Sequence, residues 1–248
     1  AARQSARPPA PVVVVLVEPA GPLNVGGVAR LCANFAIEQL RLVAPRCDHL
    51  GPEARQMAVH GEALLEQATL YPDLAAAIAD CQRVVATSGR IETESLPLSE
   101  PGPALRWLCQ DNNGKRGSKT TMAALVFGRE DRGLSNAELL QAGRVVRLST
   151  DAAYSSLNLS HAVAICLHEL QQLGQAPPAA DAADPCPRAA LEAALADAEG
   201  LLLEVGFLYP HTAHARMAKL RGLLQRAQIS SEEVALVRGM VRQLRWAS

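Results

Sequence analysis

The sequence is poor in aromatic residues and has almost no net charge. Phe, Trp and Tyr make up only 3% of its 248 residues, and 24 Lys and Arg balance 25 Asp and Glu, for a formal net charge of −1. This balance excludes a histone-like protein or a nucleic-acid binder that works through a basic tail, and the scarcity of aromatics excludes a surface built mainly on base stacking. A local basic patch is not excluded. The composition, 49% hydrophobic and 20% charged, is typical of a folded domain with an appendage.

Closely spaced cysteines and long apolar runs are missing as well. The cysteines lie far apart with no CxxC pair, which predicts buried free thiols rather than a zinc ribbon or a redox dithiol. They are Cys32, Cys47, Cys81, Cys109, Cys166 and Cys186. His161 and His168 have no third ligand in the sequence pattern, so we predict no metal site. The longest strongly apolar run, Val12–Val17, is too short to span a bilayer, and we expect a soluble cytoplasmic protein without a membrane or DNA partner.

Short apolar segments alternate with helical patterns along the first 173 residues. The predicted strands cover residues 12–17, 40–43, 84–87, 122–127 and 145–148, and the predicted helices cover 25–35, 72–80, 101–110, 136–141 and 158–173. Most of the strands are continuously apolar, which is typical of strands covered on both faces. The alternation therefore predicts an α/β fold around a mostly parallel sheet.

A proline- and alanine-rich stretch, residues 174–188, ends this pattern and reads as a linker. Beyond it only helical patterns remain, at 189–205, 213–227 and 232–246. The predicted organisation is therefore a first domain over 1–173, a linker over 174–188 and a helical extension over 189–248.

The neutral total conceals a charge separation in this last part. Residues 175–210 carry six acidic side chains and one basic one, whereas residues 211–248 carry seven basic and two acidic side chains. In the last predicted helix the helical spacing separates an apolar stripe from a basic one. The apolar stripe comprises Val237, Met240, Val241 and Leu244, and the basic stripe comprises Arg238, Arg242 and Arg245. The pattern alone favours a solvated face for the basic stripe over a contact with a polyanion.

The first of three motifs follows the first strand, as Glu-Pro-Ala-Gly-Pro-Leu-Asn-Val-Gly-Gly-Val-Ala-Arg at residues 18–30. Its prolines and glycines indicate a rigid loop that directs the free N–H groups of the next helix toward a ligand, with Asn24 as the predicted N-cap. The glycine spacing of a dinucleotide fingerprint is absent. Gly26 and Gly27 fit either close helix packing or a phosphate contact, and Arg30 fits either a surface position or a ligand contact.

The second and third motifs also stand at strand ends. Residues 125–139, Leu-Val-Phe-Gly-Arg-Glu-Asp-Arg-Gly-Leu-Ser-Asn-Ala-Glu-Leu, place four charges between two glycines and then a Ser135–Glu138 capping box. Residues 148–163 place small polar side chains before a strongly apolar helix. Open α/β sheets bind ligands at the carboxyl ends of their strands, so the three motifs predict one shared site.

Together the three motifs resemble those of the SpoU-type members of the SPOUT superfamily of RNA methyltransferases. The shared pattern is N-[IV]-G-x-x-x-R after the first strand, [VF]-F-G-x-E-x-x-G-[LI] in the middle and S-L-N-[LV]-[SA]-x-A-[VA] at the end, within residues 12–170. Segments 206–208, 219–227 and 236–240 extend the resemblance to the TrmJ-like branch, which methylates the ribose 2′-hydroxyl of a pyrimidine at position 32 of the tRNA anticodon loop. The resemblance implies a parallel sheet with a C-terminal trefoil knot, and a homodimer.

The resemblance also implies a cofactor, S-adenosylmethionine, which leaves as S-adenosylhomocysteine, and a tRNA partner bound in part by the extension. The implied cofactor-binding residues are Thr87, Ser88, Gly89, Gly128, Leu148, Ser155, Ser156, Leu157 and Asn158. The implied catalytic residues are Arg30, Asn24, Glu130 and Ser156. The residues expected to contact RNA are Arg30, Lys115, Arg116, Lys119, Arg238, Arg242 and Arg245.

A guanidinium has a pKa above about 12 and is a poor base, so we expect Arg30 to stabilise the developing alkoxide and to align a phosphate. Two alternatives stay open from the sequence. The first is a SpoU-type enzyme that modifies another tRNA or rRNA ribose. The second is a non-catalytic RNA-binding or nucleotide-binding α/β protein, which the missing dinucleotide fingerprint and the complete set of motif residues disfavour.

Overall fold

A computed structural model describes residues 11–89, 98–110, 122–151, 156–173 and 185–247 of the chain. The strands of this described part are β1 (Val12–Val17), β2 (Gln39–Val43), β3 (Thr69–Tyr71), β4 (Cys81–Thr87), β5 (Leu98–Ser99), β6 (Met122–Phe127) and β7 (Arg144–Val146). The helices are α1 (Pro22–Asn34), α2 (Pro52–Ala58), α3 (Glu62–Glu66), α4 (Leu74–Ala77), α5 (Pro101–Leu108), α6 (Asn136–Leu139), α7 (Leu159–Leu173), α8 (Arg188–Glu204), α9 (Pro210–Ala227) and α10 (Ser231–Ala247), with a 3-10 helix at Val59–Gly61.

The seven strands form one sheet in the order β3-β2-β1-β6-β4-β7-β5, and every neighbouring pair is parallel. The predicted α/β class with a parallel sheet is confirmed. All six residues of β1 are buried, because helices cover both faces of the sheet. Val14 and Leu16 face one apolar cluster, and Val13 and Val15 face the other.

The two faces of the sheet are covered by different helices. Buried residues of α1, α2, α3, α5 and α7 form the cluster on one face, and those of α4 and α6 belong to the cluster on the other. The described part of the extension, α8 to α10, has small apolar clusters of its own. Its helices are joined to the α4/α6 side, where the Ala189 amide donates to the Ala79 carbonyl at 3.0 Å.

Two buried side chains complete this junction between the extension and the sheet domain. The Gln225 amide, oriented so that both of its ends are satisfied, donates to the Leu140 and Ala142 carbonyls and accepts from Arg188 Nη1 at 3.2 Å. Burial lowers the pKa of the Arg188 guanidinium to about 10. A cation held in this way away from water indicates a close-packed junction.

Several predicted elements differ in extent from the observed ones. Strands β3 and β5 were not predicted, because segments of three and two residues carry too little periodicity to be recognised. Helix α1 begins at Pro22, so the prediction of Asn24 as its N-cap is wrong. The cap is Gly21, and Pro22 takes the first helical position, where its fixed φ fits and no N–H is needed.

The predicted buried free thiols are confirmed for five cysteines, and the sixth, Cys47, is half-buried. Burial raises the pKa of Cys32, Cys81 and Cys166 to about 12. Within the described segments, no helix combines the length and the apolar character needed to cross a membrane. The trefoil knot stays a prediction.

Candidate active site

A cavity of about 500 Å³ opens at the carboxyl ends of β4, β6 and β7. Its lining includes Thr87, Ser88, Gly89, Gly128, Glu130, Leu148, Ser156 and Leu157, each of which was singled out from the sequence. Ser155 lies outside the described residues. Asn158 does not line the cavity but caps α7, where its Oδ1 accepts from the backbone N–H groups of Ser160 at 2.9 Å and His161 at 3.4 Å.

The loop after β4 is fastened to the two strands beside it. Thr87 Oγ1 donates to the Val126 carbonyl at 3.2 Å, and the Ser88 amide donates to the Val146 carbonyl at 2.9 Å. These bonds hold the chain of residues 87–89 at the rim, where all three residues line the cavity.

The two glycines of the second motif are explained by backbone approach. Any side chain at Gly128 would overlap the backbone of Gly133 and Leu134, which lies directly against it. Gly133 itself has φ of +67°, a conformation that side chains disfavour. The loop closes through reciprocal bonds between the Arg129 and Gly133 backbones, at 3.3 and 2.9 Å. The glycines therefore let the chain double back tightly at the cavity wall.

A chain of hydrogen bonds joins the three motifs. Glu130 of the second motif accepts from the Ala20 amide at 3.1 Å, the Gly21 amide at 3.0 Å and Asn24 Nδ2 at 3.1 Å. Asn24 Oδ1 then accepts from Asn158 Nδ2 at 2.9 Å. Glu130, Asn24 and Asn158 thus form one hydrogen-bonded set, although the sequence separates Asn24 from Glu130 by 106 positions.

These bonds keep the Glu130 carboxylate ionised. Its partial burial raises its pKa, but the donors from Ala20, Asn24 and Gly21 outweigh the burial, and the pKa lies below the ordinary value of 4.5. A carboxylate saturated with donors is a poor proton acceptor. Its arrangement suits the holding of the loop at residues 18–21 better than the abstraction of a proton.

Beside this set lies an ion-pair cluster that also joins the first and second motifs. Arg129 forms a two-pronged pair with Glu138, with both N–O distances 2.9 Å, and a second pair with Glu18. Arg132 also reaches Glu18, at 3.2 Å. The hydrogen bonds and charges of Glu18 and Glu138 raise the pKa of Arg129, and the Arg129 bond lowers the pKa of Glu18.

Arg30 is exposed on α1 and lies apart from the hydrogen-bonded set. It stands six residues beyond Asn24, a rise of about 9 Å along a helix. It neither lines the cavity nor takes part in the bonds that join the three motifs. Gly61 of the 3-10 helix packs against the backbone of Ala29 and Arg30, where a Cβ would come within 2.8 Å of the Arg30 nitrogen.

Two of the three arginines in the basic stripe of α10 are paired with acidic residues of α8. Arg238 pairs with Asp197 of α8 at 2.9 Å, and Arg245 lies 3.6 Å from Glu204 and donates to the Asp197 carbonyl at 3.1 Å. Arg242 is exposed and has no carboxylate partner among the described residues. The other predicted RNA contacts, Lys115, Arg116 and Lys119, lie outside the described part of the chain.

Sequence reasoning missed most of the apolar part of the lining. The cavity is also lined by Arg129, Asp131, Arg132, Gly133, Ser135 and Asn136, and its remaining apolar lining is Phe127, Leu134, Leu139, Leu159 and Ala162. They belong to the same motifs, but an apolar residue in a strand or helix gives no sign in sequence that it faces a ligand rather than the core. Among the described residues no group of three His, Cys, Asp or Glu side chains has the arrangement of a metal site. The site is therefore suited to a ligand that is bound through apolar, hydroxyl and charged groups.

The comparisons with known proteins cover nearly the whole chain. Residues 11–168 match the model of the SpoU rRNA Methylase family, and residues 189–247 match that of the C-terminal domain of the tRNA methyltransferase TrmJ. The chain is 33% identical to the tRNA (cytidine/uridine-2′-O-)-methyltransferase TrmJ of Cronobacter sakazakii, over 92% of this chain and 93% of that protein. It is 31% identical to the tRNA (cytidine/uridine/adenosine-2′-O-)-methyltransferase TrmJ of Pseudomonas aeruginosa, over 92% of this chain and 91% of that protein. The crystal structure of TrmJ from Z. mobilis ZM4 superposes with a TM-score of 0.81 at 29% identity, covering 94% of this chain and 98% of that one.

Proposed function

The chain belongs to the SpoU methylase family and carries a TrmJ-type C-terminal domain, and from this we propose that it methylates a ribose 2′-hydroxyl of tRNA with S-adenosylmethionine as donor. The observation that carries the proposal is the joining of the three family motifs beside one cavity: the second and third motifs line it, and Asn24 of the first motif is hydrogen-bonded to Glu130 and Asn158. The similarity runs through both parts of the chain, so the sheet domain and the extension act on the substrate together.

The cavity fits the donor in size and lining. About 500 Å³ is within the range of small-molecule sites, and the wall combines apolar residues with the loop residues 87–89 and 128–134. S-adenosylmethionine supplies an electrophilic methyl group on a sulfonium sulfur. Leu148 and Leu157, with Thr87 and Ser156, would hold the apolar and polar parts of the cofactor.

The proposed chemistry is an in-line displacement, which requires the 2′-oxygen to approach the methyl carbon as it loses its proton. Glu130, with its lowered pKa and its saturated carboxylate, positions the Asn24 loop. Arg30 stabilises the developing alkoxide and aligns a neighbouring phosphate through its fork of N–H groups.

We propose a homodimer, because within one chain Arg30 stands away from the cavity. Exposed apolar side chains lie on α1, which carries Arg30, and on elements that contact α1, namely Leu23, Met57, Val59 and Ile165. Exposed apolar side chains on adjoining elements are typical of subunit interfaces. A second copy seated here buries them and completes the RNA surface beside Arg30.

For the substrate we propose a pyrimidine at position 32 of the anticodon loop. The names of the relatives support a tRNA ribose and differ in the bases accepted, since one includes adenosine and another does not. The extension binds the tRNA backbone through Arg242, with Arg238 and Arg245 at its side, and the sheet domain adds Lys115, Arg116 and Lys119.

Nucleoside mass spectrometry tests the function directly. Purified chain is incubated with an unmodified tRNA transcript and S-adenosylmethionine, and the digest is expected to contain 2′-O-methylcytidine or 2′-O-methyluridine. A matched transcript with a single 2′-deoxynucleotide at position 32 has no acceptor there and is expected to stay unmethylated, whereas a 2′-deoxynucleotide at position 34 leaves the yield unchanged. Absence of any 2′-O-methyl nucleoside would overturn the proposed activity, and a yield that depends on position 34 would overturn the proposed position.

A further inference from the structure

We propose that Arg129 is a positioning residue, which acts with Glu18 and Glu138 to hold the first-motif loop, and thereby Asn24, in its working geometry. The proposal rests on the methyltransferase function proposed above. It concerns how the loop is held, and one of its tests needs no activity.

Arg129 and its neighbour Glu130 divide the holding of one loop between them. Glu130 accepts from the amides of Ala20 and Gly21, at 3.1 and 3.0 Å, near the start of α1. Arg129 pairs with Glu18, at the point where β1 leaves the sheet. Two consecutive residues of the second motif therefore hold the two ends of residues 18–21.

Glu18 needs such a partner because its backbone is strained. Its φ is +45°, in the left-handed region that residues other than glycine rarely adopt. The Glu18 amide is held by the Val43 carbonyl at 2.8 Å, and the carboxylate by Arg129 and Arg132. With the Arg129 partner removed, we expect the loop to relax from this conformation.

Glu138 anchors Arg129 from the opposite side. It occupies the N3 position of the α6 capping box, where it also accepts from the Ser135 amide at 2.7 Å. Because α6 packs on the sheet, this pair ties the fork of Arg129 to a fixed element. The side chains of Arg129, Glu138 and Glu18 are 10%, 16% and 28% exposed, which leaves little water to screen their charges.

The two glutamates lie outside the cavity lining, whereas Arg129 belongs to it. Neutralising them therefore reaches the chemistry through Arg129 and the loop and not through direct contact with a ligand. This separation lets the experiment distinguish a positioning role from a binding role.

The test compares Glu18→Gln, Glu138→Gln and the double variant with a matched control. Glutamine keeps the shape of the side chain and, at position 138, the capping box. The control is Glu62→Gln with Glu66→Gln, because Arg55 likewise bridges two glutamates and none of the three lines the cavity. Amide hydrogen exchange over residues 18–25 and the kcat and KM for methylation are measured for each protein.

We expect the double variant to lose exchange protection at Ala20 and Gly21 and to lose kcat by on the order of tenfold to a hundredfold, with the KM for S-adenosylmethionine changed by less than about twofold. The control is expected to match the wild type in both measurements. Arg129→Lys keeps the charge but not the fork, and we expect its exchange protection and its kcat to lie between those of the double variant and those of the control.

Unchanged protection at Ala20 and Gly21 in the double variant overturns the proposal, as does a change that is confined to KM. If the double variant does not fold, the single variants decide by the same two criteria. An inactive wild type with protected Ala20 and Gly21 amides would count against the proposed function, while the exchange comparison would still decide the role of Arg129.

Discussion

Both polar atoms of the Asn24 side-chain amide are hydrogen-bonded, which explains why an amide is needed at that position. Its Nδ2 donates to Glu130 and its Oδ1 accepts from Asn158. Aspartate would offer only acceptors to Glu130, and leucine would offer neither group. Asn24 therefore connects the loop of the first motif to those of the second and third motifs.

The first residue-scale prediction concerns Asn24→Asp. The new carboxylate would face Glu130 across a contact that is 3.1 Å in the wild type, so the two cannot both ionise and the pKa of the pair rises in the folded state. A folded-state pKa raised in this way means that the variant is least stable at neutral pH and recovers as the pH falls through the raised pKa. We expect the free energy of unfolding, measured with denaturant, to be about 1–3 kcal/mol lower in the variant than in the wild type at pH 7. Asn24→Leu, the control, should show a deficit without this recovery.

The second prediction concerns Glu130→Gln. The folded-state pKa of Glu130 is lowered, so the unfolded chain binds more protons near pH 4.5 and the charge stabilises the fold above that pH. The free energy of unfolding of the wild type should exceed that of the variant by about 1–2 kcal/mol at pH 7, and this difference should disappear as the pH falls below about 4.5. An advantage that stays constant down to pH 3 would contradict the assignment.

The third prediction addresses the role of Arg30. Lysine keeps the positive charge but lacks the planar fork, so Arg30→Lys should lower single-turnover methylation by on the order of a hundredfold while cofactor binding is retained. The measurement is the rate across pH in both proteins. If lysine preserves the rate and its pH profile, a role specific to the guanidinium is wrong.

At the scale of elements, the loop between β6 and α6 depends on close backbone contact. Gly128 has no space for a side chain, and Gly133 takes a left-handed conformation. The following helix is started by Ser135, whose hydroxyl accepts from the Glu138 amide at 3.3 Å. Tight turn, cap and ion pair thus reinforce one another within 11 residues.

This packing predicts opposite effects for two glycine-to-alanine changes. Gly128→Ala places a methyl group against the backbone of residues 133–134, and should lower the free energy of unfolding by about 2 kcal/mol or more and disrupt cofactor binding. Gly239→Ala, in α10, meets nothing within 4 Å and should be neutral or stabilising by up to about 1 kcal/mol. Thermal unfolding and titration with S-adenosylhomocysteine measure both effects, and equal effects of the two changes would contradict the packing argument.

At the scale of the whole molecule, the extension docks on the α4/α6 side of the sheet through Ala189, Arg188 and Gln225. Exposed apolar residues, Leu23, Met57 and Ile165, lie on α1, α2 and α7, which cover the other face. A single chain can therefore carry the proposed RNA-binding extension and offer the proposed dimer face without conflict between the two.

The salt dependence of tRNA binding should separate the arginines of α10. Arg242 has no carboxylate partner in the described chain, so Arg242→Gln should reduce the slope of log K against log salt by about one. Arg221, which pairs with Glu192 at 2.9 Å, is the control, and Arg221→Gln should lower stability while leaving the slope unchanged. Equal slopes for wild type and Arg242→Gln would place the RNA elsewhere.

Arg238 and Arg245 show where interpretation of the sequence fell short at this scale. Helical spacing correctly placed them on a face apart from Val241, which is buried. It could not show that Asp197 and Glu204 of α8 would lie opposite them, because that pairing depends on how two helices pack. Asp197 and Glu204 partly neutralise their charges within the protein, so their contribution to RNA binding should be smaller than that of Arg242.

The sequence by itself determined the parallel α/β core, the helical extension and the three motif loops at strand ends, because local periodicity and turn chemistry depend on neighbouring residues. Only the tertiary structure decided that Asn24 is a connector and not a cap, that Arg129 bridges Glu18 and Glu138, and that Arg30 stands apart from the cavity. These facts depend on which loops the strand order β3-β2-β1-β6-β4-β7-β5 brings to one edge of the sheet. Contacts between residues more than 100 positions apart leave no local pattern from which they could have been predicted.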